Sequence, residues 1–84
     1  MIQNQEYIEQ NQTFVFTYDQ EANAAYIYTK QIDDGEVDKT YICEGLPESV
    51  KGGINLDFDS QGRLLGIEIL DANKVAPHMI AKMR

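Results

Sequence analysis

The stretch INLDFDSQGRLLGIEIL, residues 54–70, decides the fold because it fits two structures that exclude each other. As a motif, it places Asp57, Asp59 and Glu68 near the ligand positions of an EF-hand calcium loop, with Gly62 at the turn. As a hydrophobic pattern, it alternates apolar and polar residues on both sides of that turn. The motif requires two helices, and the pattern requires two strands.

The flanking residues favour strands. Gly52 and Gly53 stand directly before the alternating segment, and two adjacent glycines oppose a helix. We therefore predict a β-hairpin whose four-residue loop, residues 59–62, ends on Gly62 at positive φ. The predicted cross-strand pairs are Phe58 with Arg63, Leu56 with Leu65 and Ile54 with Ile67.

In this hairpin the carboxylates of Asp57 and Glu68 share the polar face with Asn55. Carboxylates on an exposed strand are most often solvated. Oxygen ligands are nevertheless what a divalent cation needs, so a metal or small-ligand site built from Asp57, Asp59 and Glu68 is kept as the alternative function.

Composition indicates one globular domain with an acidic surface. The 84 residues are 43% hydrophobic and 25% charged, with a net charge of −7. Residues 1–42 hold eight acidic and two basic side chains, whereas residues 43–84 hold six and five. This balance repels phosphates, so no nucleic acid or anionic membrane is expected as a partner. It suits a basic protein partner.

The sequence predicts a cytoplasmic protein. No apolar run approaches the roughly 20 residues of a membrane-spanning helix, and residues 1–6 lack the features of a signal peptide. Cys43 is the single cysteine, which rules out an internal disulfide. No phosphate loop, dinucleotide fingerprint or zinc spacing occurs, so we expect no cofactor.

Two regions are predicted along the chain: a polar N-terminal arm over residues 1–12 and a single β-sheet domain with a C-terminal helix over residues 13–84. The first two strands are expected at 13–18 and 24–29. Between them, Asp19 should bond to the backbone that follows, and Asn23 should adopt the left-handed conformation.

Asp34-Gly35 is typical of a two-residue hairpin turn, because both residues accept positive φ. Such a turn would pair the second strand with the third and bring tyrosine opposite tyrosine and threonine opposite threonine, which are favourable contacts. The predicted pairs are Ile32 with Val37, Tyr28 with Tyr41, Thr29 with Thr40 and Ile27 with Ile42.

That register also predicts an interface. Tyr26, Tyr28 and Tyr41 would share one face with Cys43, while the opposite face carries Ala25, Ile27 and Ile42, so neither face is plainly polar. One short helix cannot cover both faces. We therefore predict that the three tyrosines contact a second copy of the chain, as a homodimer or other homo-oligomer, or another protein.

The C-terminal region is predicted to be helical. Asp71 is a plausible N-cap, and Pro77 suits the first turn of a further segment. An apolar stripe there should cover one face of the sheet; its members are Val75, Met79, Ile80 and Met83. The whole is a mainly β, α+β domain, an antiparallel meander of about five strands with a short C-terminal helix.

Two blocks of sequence resemble domain-of-unknown-function family 2283, a bacterial family of small proteins. The blocks are Tyr18-Asp19-x-Glu21-Ala22-x-Ala24-x-Tyr26-Ile27 and Leu56-Asp57-x-Asp59-x-x-Gly62-Arg63-x-x-Gly66-Ile67-Glu68-Ile69-Leu70-Asp71-Ala72. The resemblance covers roughly residues 13–76. The chain differs from the residues common in that family at three positions: it has Gln20 where Pro is common, Asn23 where Asp is common and Ala25 where Leu is common. Its connection at residues 44–53 is also longer. The resemblance implies a β-meander with a short helix, and it implies no activity, substrate or catalytic residue.

Catalytic groups are sparse. His78 is the only histidine and lies outside the β region, and Cys43 is typical of a small half-buried apolar residue. We therefore predict no catalytic residues and no enzyme activity. The function that the sequence favours is an acidic protein-interaction module that self-associates or neutralises a basic protein partner.

Overall fold

The computed structural model of the protein describes residues 15–82. The predicted polar arm over residues 1–12, the predicted strand start at residue 13 and Met83 of the apolar stripe lie outside the described residues.

Five strands and two short α-helices follow one another in this part of the chain. The strands are β1 (Val15–Asp19), β2 (Ala24–Tyr28), β3 (Lys39–Ile42), β4 (Ile54–Phe58) and β5 (Leu64–Leu70). The helices are α1 (Ala72–Val75) and α2 (Pro77–Ala81), and a 3-10 turn, Glu48–Val50, interrupts the connection from β3 to β4. The predicted class, mainly β with one five-stranded antiparallel sheet and a C-terminal helical region, is confirmed.

The order of strands across the sheet is β1-β2-β5-β4-β3, with every neighbouring pair antiparallel. β2 pairs with β5, so the predicted pairing of the second strand with the third is wrong, and with it the sequential order of a meander. The Asp34-Gly35 turn itself is present: Gly35 has a φ of +80°, and the Glu36 N–H donates to the Asp33 carbonyl at 3.1 Å. It lies in a crossover loop, residues 29–38, that carries the chain from β2 past β5 and β4 to β3.

Burial of apolar side chains explains why β2 pairs with β5 rather than with β3. In the observed register Ala25 lies opposite Ile69 and Ile27 opposite Ile67, and Ala25 and Ile69 are 2% and 7% exposed. A favourable cross-strand pair contributes about 0.2–1 kcal/mol, whereas burying one aliphatic side chain contributes about 1.5–3 kcal/mol. The local pairs at the Asp34-Gly35 turn are therefore outweighed by a distant partner that completes the core.

The β4–β5 hairpin is confirmed, and its register differs from the predicted one by one residue next to the turn and by two residues beyond a β-bulge. Phe58 lies opposite Leu64 rather than Arg63. Leu56 lies opposite Ile67 rather than Leu65, and Ile54 opposite Ile69. A β-bulge inserts Leu65 between the residues that pair with Asp57 and Phe58. Because side chains alternate with period two, the two-residue shift beyond the bulge leaves Ile54, Leu56, Ile67 and Ile69 on their predicted face.

The predicted β1–β2 turn is also confirmed, and in addition it contacts the first C-terminal helix. Asp19 accepts hydrogen bonds from the N–H groups of Glu21 and Ala22, and Asn23 has a φ of +53°. The Asn23 side chain accepts from the Asn73 N–H at 3.0 Å, so it caps α1 from a distance. Asp71 occupies the N-cap position but makes no capping bond with its side chain, which corrects the predicted role.

The core lies between the helices and one part of the sheet. Ala25, Ile69, Ala72 and Ile80 form its buried centre, and the residues packed around it are Tyr18, Ile27, Ile67, Val75, Ala76 and Met79. The described members of the predicted apolar stripe thus contact the core. The helices cover β1, β2 and β5, and all four residues of edge strand β3 stay exposed. Within residues 15–82 no helix has the length and apolar character to cross a membrane.

Candidate functional site

The face of the sheet opposite the helices carries two tyrosines and several polar side chains. Register and alternation put them on one side, because Tyr26 pairs with Glu68, Glu68 with Asn55, and Asp57 with Thr40. We call this surface the tyrosine face. Its members are Val15, Thr17, Asp19, Ala24, Tyr26, Tyr28, Thr40, Ile42, Asn55, Asp57, Gly66, Glu68 and Leu70.

Gly66 lets the Tyr26 ring cross the sheet. A Cβ at Gly66 would stand 2.3–2.4 Å from the Cε2, Cζ and hydroxyl oxygen of Tyr26, a distance that atoms of a real side chain do not reach. Tyr26, on β2, therefore lies against the bare backbone of β5 and extends to β4. A glycine inside a strand often marks such a close approach.

On β4 the Asp57 carboxylate receives two hydroxyl groups. The Tyr26 hydroxyl donates to Oδ2, and the hydroxyl of Thr40, on β3, donates to Oδ1; both oxygen–oxygen distances are 2.5 Å. Burial and the hydrogen bond to Asp57 raise the pKa of Tyr26 above its ordinary value of 10.0. The Tyr26 hydroxyl is thus held protonated, so it serves as a donor and not as a base. These three side chains connect β2, β4 and β3, and the Tyr26 ring crosses β5 between them.

A second polar pair lies beside the first. Asn55 Nδ2 donates to Glu68 Oε1 at 3.0 Å, and these residues are direct neighbours in the β4–β5 register. Asn55 Oδ1 is buried and has no hydrogen-bond partner within residues 15–82. Both Asn55 and Glu68 remain partly exposed, so the pair contributes polar atoms to the surface.

A groove of about 370 Å³ opens between the tyrosines and the crossover loop. On the sheet side, the rings of Tyr26 and Tyr28 pack edge to face with centroids 4.7 Å apart. On the loop side stand Ile32, Asp33, Asp34, Gly35 and Val37. Among residues 15–82, no basic side chain lines this groove, so the lining that the structure describes is both aromatic and acidic.

Hydrogen bonds fix the crossover loop in place. The Glu36 carboxylate accepts hydrogen bonds from the Asp33 N–H at 3.0 Å and from Lys30 Nζ at 2.5 Å. The bond from Lys30 is the main reason that the pKa of Glu36 lies below its usual value. At the far end, the Asp38 N–H donates to the Phe58 carbonyl at 2.8 Å. The loop is thus tied both to itself and to the sheet.

The three carboxylates considered for a metal site are used separately. Asp57 bonds to hydroxyl groups, and Glu68 bonds to Asn55. Asp59 lies at the β4–β5 turn, 8% exposed, where Oδ1 accepts from the N–H groups of Gln61 and Arg63 and Oδ2 accepts from Arg63 Nε. The backbone bond from Arg63 is the main cause of its lowered pKa. Across residues 15–82, no three His, Cys, Asp or Glu side chains are grouped to hold a metal ion.

The predicted interface residues are divided between the two faces. Tyr26 and Tyr28 lie on the tyrosine face as expected. Tyr41 pairs with Leu56, which puts it on the helix side of the sheet, 56% exposed, so the predicted grouping of the three tyrosines is wrong. The error follows from the β2–β3 pairing. Cys43 follows β3 directly, and His78 is exposed on α2.

The sequence reasoning missed Thr40, Gly66 and the groove. Gly66 carried a usable signal, since a glycine between Leu65 and Ile67 in a strand indicates that something approaches closely there. The sequence gives no comparable signal for Thr40 or for the groove, because both depend on which strands are neighbours in the sheet.

The comparisons with known proteins give a family and no activity. No curated protein and no solved structure matches the chain. A family model described as "Protein of unknown function (DUF2283)" matches residues 16–73, a span that holds all five strands except Val15, together with the first two residues of α1. That span is well over half of the 84 residues. The chain therefore belongs to the DUF2283 family of proteins of unknown function.

Proposed function

We propose that this protein is a non-enzymatic interaction module that binds a basic protein partner through the tyrosine face. The observation that carries the proposal is the composition of that face. It bears the carboxylates of Asp57 and Glu68, the groove beside it adds Asp33 and Asp34, and no described lysine or arginine lies on either. The helices cover the β1, β2 and β5 part of the other side of the sheet.

The charge of the whole chain supports a basic partner. A net charge of −7 on 84 residues produces a field that speeds the approach of a positively charged protein and opposes acidic ones. Within residues 15–82, two ion pairs, Lys30 with Glu36 and Arg63 with Asp59, already occupy two of the basic side chains. The excess of acidic groups therefore remains available at the surface.

The bonding on the tyrosine face also supports binding over catalysis. A general base or a nucleophile needs an available proton acceptor or an activated hydroxyl. The Tyr26 hydroxyl is kept protonated beside Asp57, and both oxygens of Asp57 already accept hydrogen bonds. These contacts fit a rigid recognition surface, and a module of this kind would neutralise its partner by covering a basic site.

Self-association is the competing mode, and edge strand β3 is where it would occur. Tyr41 and Ile42 are 56% and 58% exposed, and β3 has a neighbour on one side only. A second copy could add its own β3 there. This mode would use the edge of the sheet and leave the tyrosine face free, so the two modes respond to different substitutions.

The test is capture of the tagged full-length chain from its native host, followed by native mass measurement of the eluted complex. Glu68→Gln removes a charge from the tyrosine face while its amide oxygen still accepts from Asn55. Glu44→Gln removes an equal charge from the exposed connection after β3 and serves as the control. We expect a stoichiometric basic protein that is retained by the wild type and Glu44→Gln and retained less by Glu68→Gln.

Two results would contradict the proposal. One is a monomer that elutes without a partner at high concentration. The other is a discrete homodimer that Ile42→Lys dissociates and Glu68→Gln leaves intact, because that result would assign the interaction to the β3 edge.

A further inference from the structure

The groove beside the tyrosine face has the lining of a site for one cationic side chain. Its walls supply two aromatic rings from β2, two carboxylates from the crossover loop and two aliphatic side chains, Ile32 and Val37. A volume of about 370 Å³ is at the lower end of the range for ligand pockets and accommodates a single long side chain.

In the part of the chain that the structure describes, the carboxylates of this groove are not paired with a cation. Lys30, the lysine of the same loop, bonds to Glu36, and Arg63 of the neighbouring turn bonds to Asp59. Within residues 15–82, Asp33 and Asp34 form no salt bridge. Lys30 lies within electrostatic range of Asp33, but it and Arg63 are each paired with another carboxylate. Asp33 and Asp34 can therefore still pair with an external cation.

The loop that presents these carboxylates is ordered before any ligand arrives. The Asp33–Glu36 turn is closed by a backbone bond and by the Glu36 side chain, and the Asp38 N–H is bonded to β4. Tyr26 is fixed by Asp57 and by contact with Tyr28. A site built in advance loses little conformational freedom on binding.

We propose that this groove receives an arginine side chain of the basic partner protein, an inference that rests on the proposed function. The guanidinium plane stacks on a tyrosine ring while its N–H groups donate to Asp33 and Asp34. The methylene groups of the arginine pack against Ile32 and Val37. Arginine fits better than lysine, because an ammonium group neither stacks nor donates in a planar fork.

The test uses the isotope-labelled full-length chain and a capped pentapeptide with one central arginine between glycines. The control peptide carries citrulline, which has nearly the same shape and no charge. We expect the arginine peptide to cause saturable shifts in the backbone amide signals of Tyr28, Gly35 and Val37, which weaken as salt is added. The citrulline peptide should cause none.

Substitutions in the groove locate the site. Asp33→Asn and Asp34→Asn should each raise the dissociation constant for the arginine peptide by about two- to fivefold, as expected for an exposed ion pair. Tyr28→Leu keeps an apolar side chain, removes the aromatic face and should weaken binding by a similar factor. The control Glu44→Gln removes one charge at a distance and should leave the constant within about 1.5-fold of wild type.

The inference is overturned if the shifts do not saturate, if citrulline binds as well as arginine, or if Glu44→Gln weakens binding as much as the groove variants. It is also overturned if a captured basic partner binds the Asp33→Asn/Asp34→Asn variant as tightly as wild type, which would leave the proposed function standing. Arginine binding at the groove in a chain that captures no partner would support the site and contradict the proposed function.

Discussion

On the helix side of the sheet, Ala25, Ile69 and Ile80 are at most 7% exposed and pack against one another, whereas on the tyrosine face the side chains stay partly exposed and bond to each other. The first side stabilises the fold by removing apolar surface from water. The second side joins β2, β4 and β3 through Tyr26, Asp57 and Thr40 and keeps polar atoms at the surface. If the proposed function is correct, stability and recognition lie on opposite faces of one sheet.

Replacing one isoleucine on each side of the sheet by alanine should give the largest difference in stability between the two sides. Ile80→Ala empties a site that is 2% exposed and should lower the free energy of unfolding by about 3 kcal/mol, which corresponds to a fall in Tm of about 10–20 °C. Ile42→Ala, at a site 58% exposed on the tyrosine face, should change it by less than about 0.5 kcal/mol. Urea unfolding measures both. Equal losses would show that the helix side is not the main source of stability.

Gly66→Ala tests the contact that organises the tyrosine face. The new methyl group would collide with the Tyr26 ring, so the ring must move away and lose Asp57, at a cost of about 2 kcal/mol. In a Tyr26→Ala background the same substitution should cost less than half as much, since nothing remains to be displaced. A double-mutant cycle by chemical denaturation gives the coupling. Additive losses would mean that Gly66 acts through the backbone alone.

Tyr26→Phe removes one hydroxyl and should destabilise the protein by about 1 kcal/mol at pH 7. Because the folded-state pKa of Tyr26 is raised, the stability that it contributes is complete below the ordinary pKa of 10.0 and is lost as pH rises further. The difference between the variant and the wild type should therefore shrink above pH 10. Tyr41→Phe, at an exposed hydroxyl, is the matched control and should change little. A difference that stays constant up to pH 11 would contradict this account.

Asp59→Asn should have the smallest effect, because asparagine can retain the backbone bonds of the turn and loses only the ion pair with Arg63, whose side chain is largely exposed. The pKa of Asp59 is lowered in the folded state, so its contribution exists above the ordinary value of 3.8 and is lost as pH falls below it. The variant should be less stable than the wild type at pH 7 and should approach it below pH 4. Thermal unfolding at several pH values measures this convergence, and parallel curves would refute it.

Local patterns in the sequence predicted the local parts of the fold. The alternation over residues 54–70 gave the β4–β5 hairpin and the correct faces of Leu56 and Ile67, and Asp19 and Asn23 behave as their turn chemistry indicates. Of the two-residue error in register, one residue arises at the turn, where Phe58 pairs with Leu64 rather than Arg63, and the other comes from the bulge at Leu65. Nothing in the alternation of a strand signals an extra residue, because a bulge is decided by contacts with both neighbouring strands.

The order of the strands could not be predicted in the same way. The Asp34-Gly35 turn is real, and its sequence describes the backbone only over four residues; whether the flanking segments pair is decided by burial elsewhere. Placing β5 beside β2 depends on Ile69 meeting Ala25, residues 44 positions apart in the chain. Two of the features that were missed, the close approach of Tyr26 to Gly66 and the groove under the crossover loop, follow from that one non-local pairing.

The pairing of β2 with β5 also has a consequence for synthesis. During translation β1 and β2 are made first, yet the strand that completes their sheet and the helix that Asn23 caps are among the last described residues to be made. Until β5 is released, Ala25 and Ile27 have no buried partner, and closing so long a loop is slow compared with forming a hairpin. The domain should therefore fold only after nearly all of its chain has been synthesised, with its N-terminal hairpin exposed to chaperones and proteases until then.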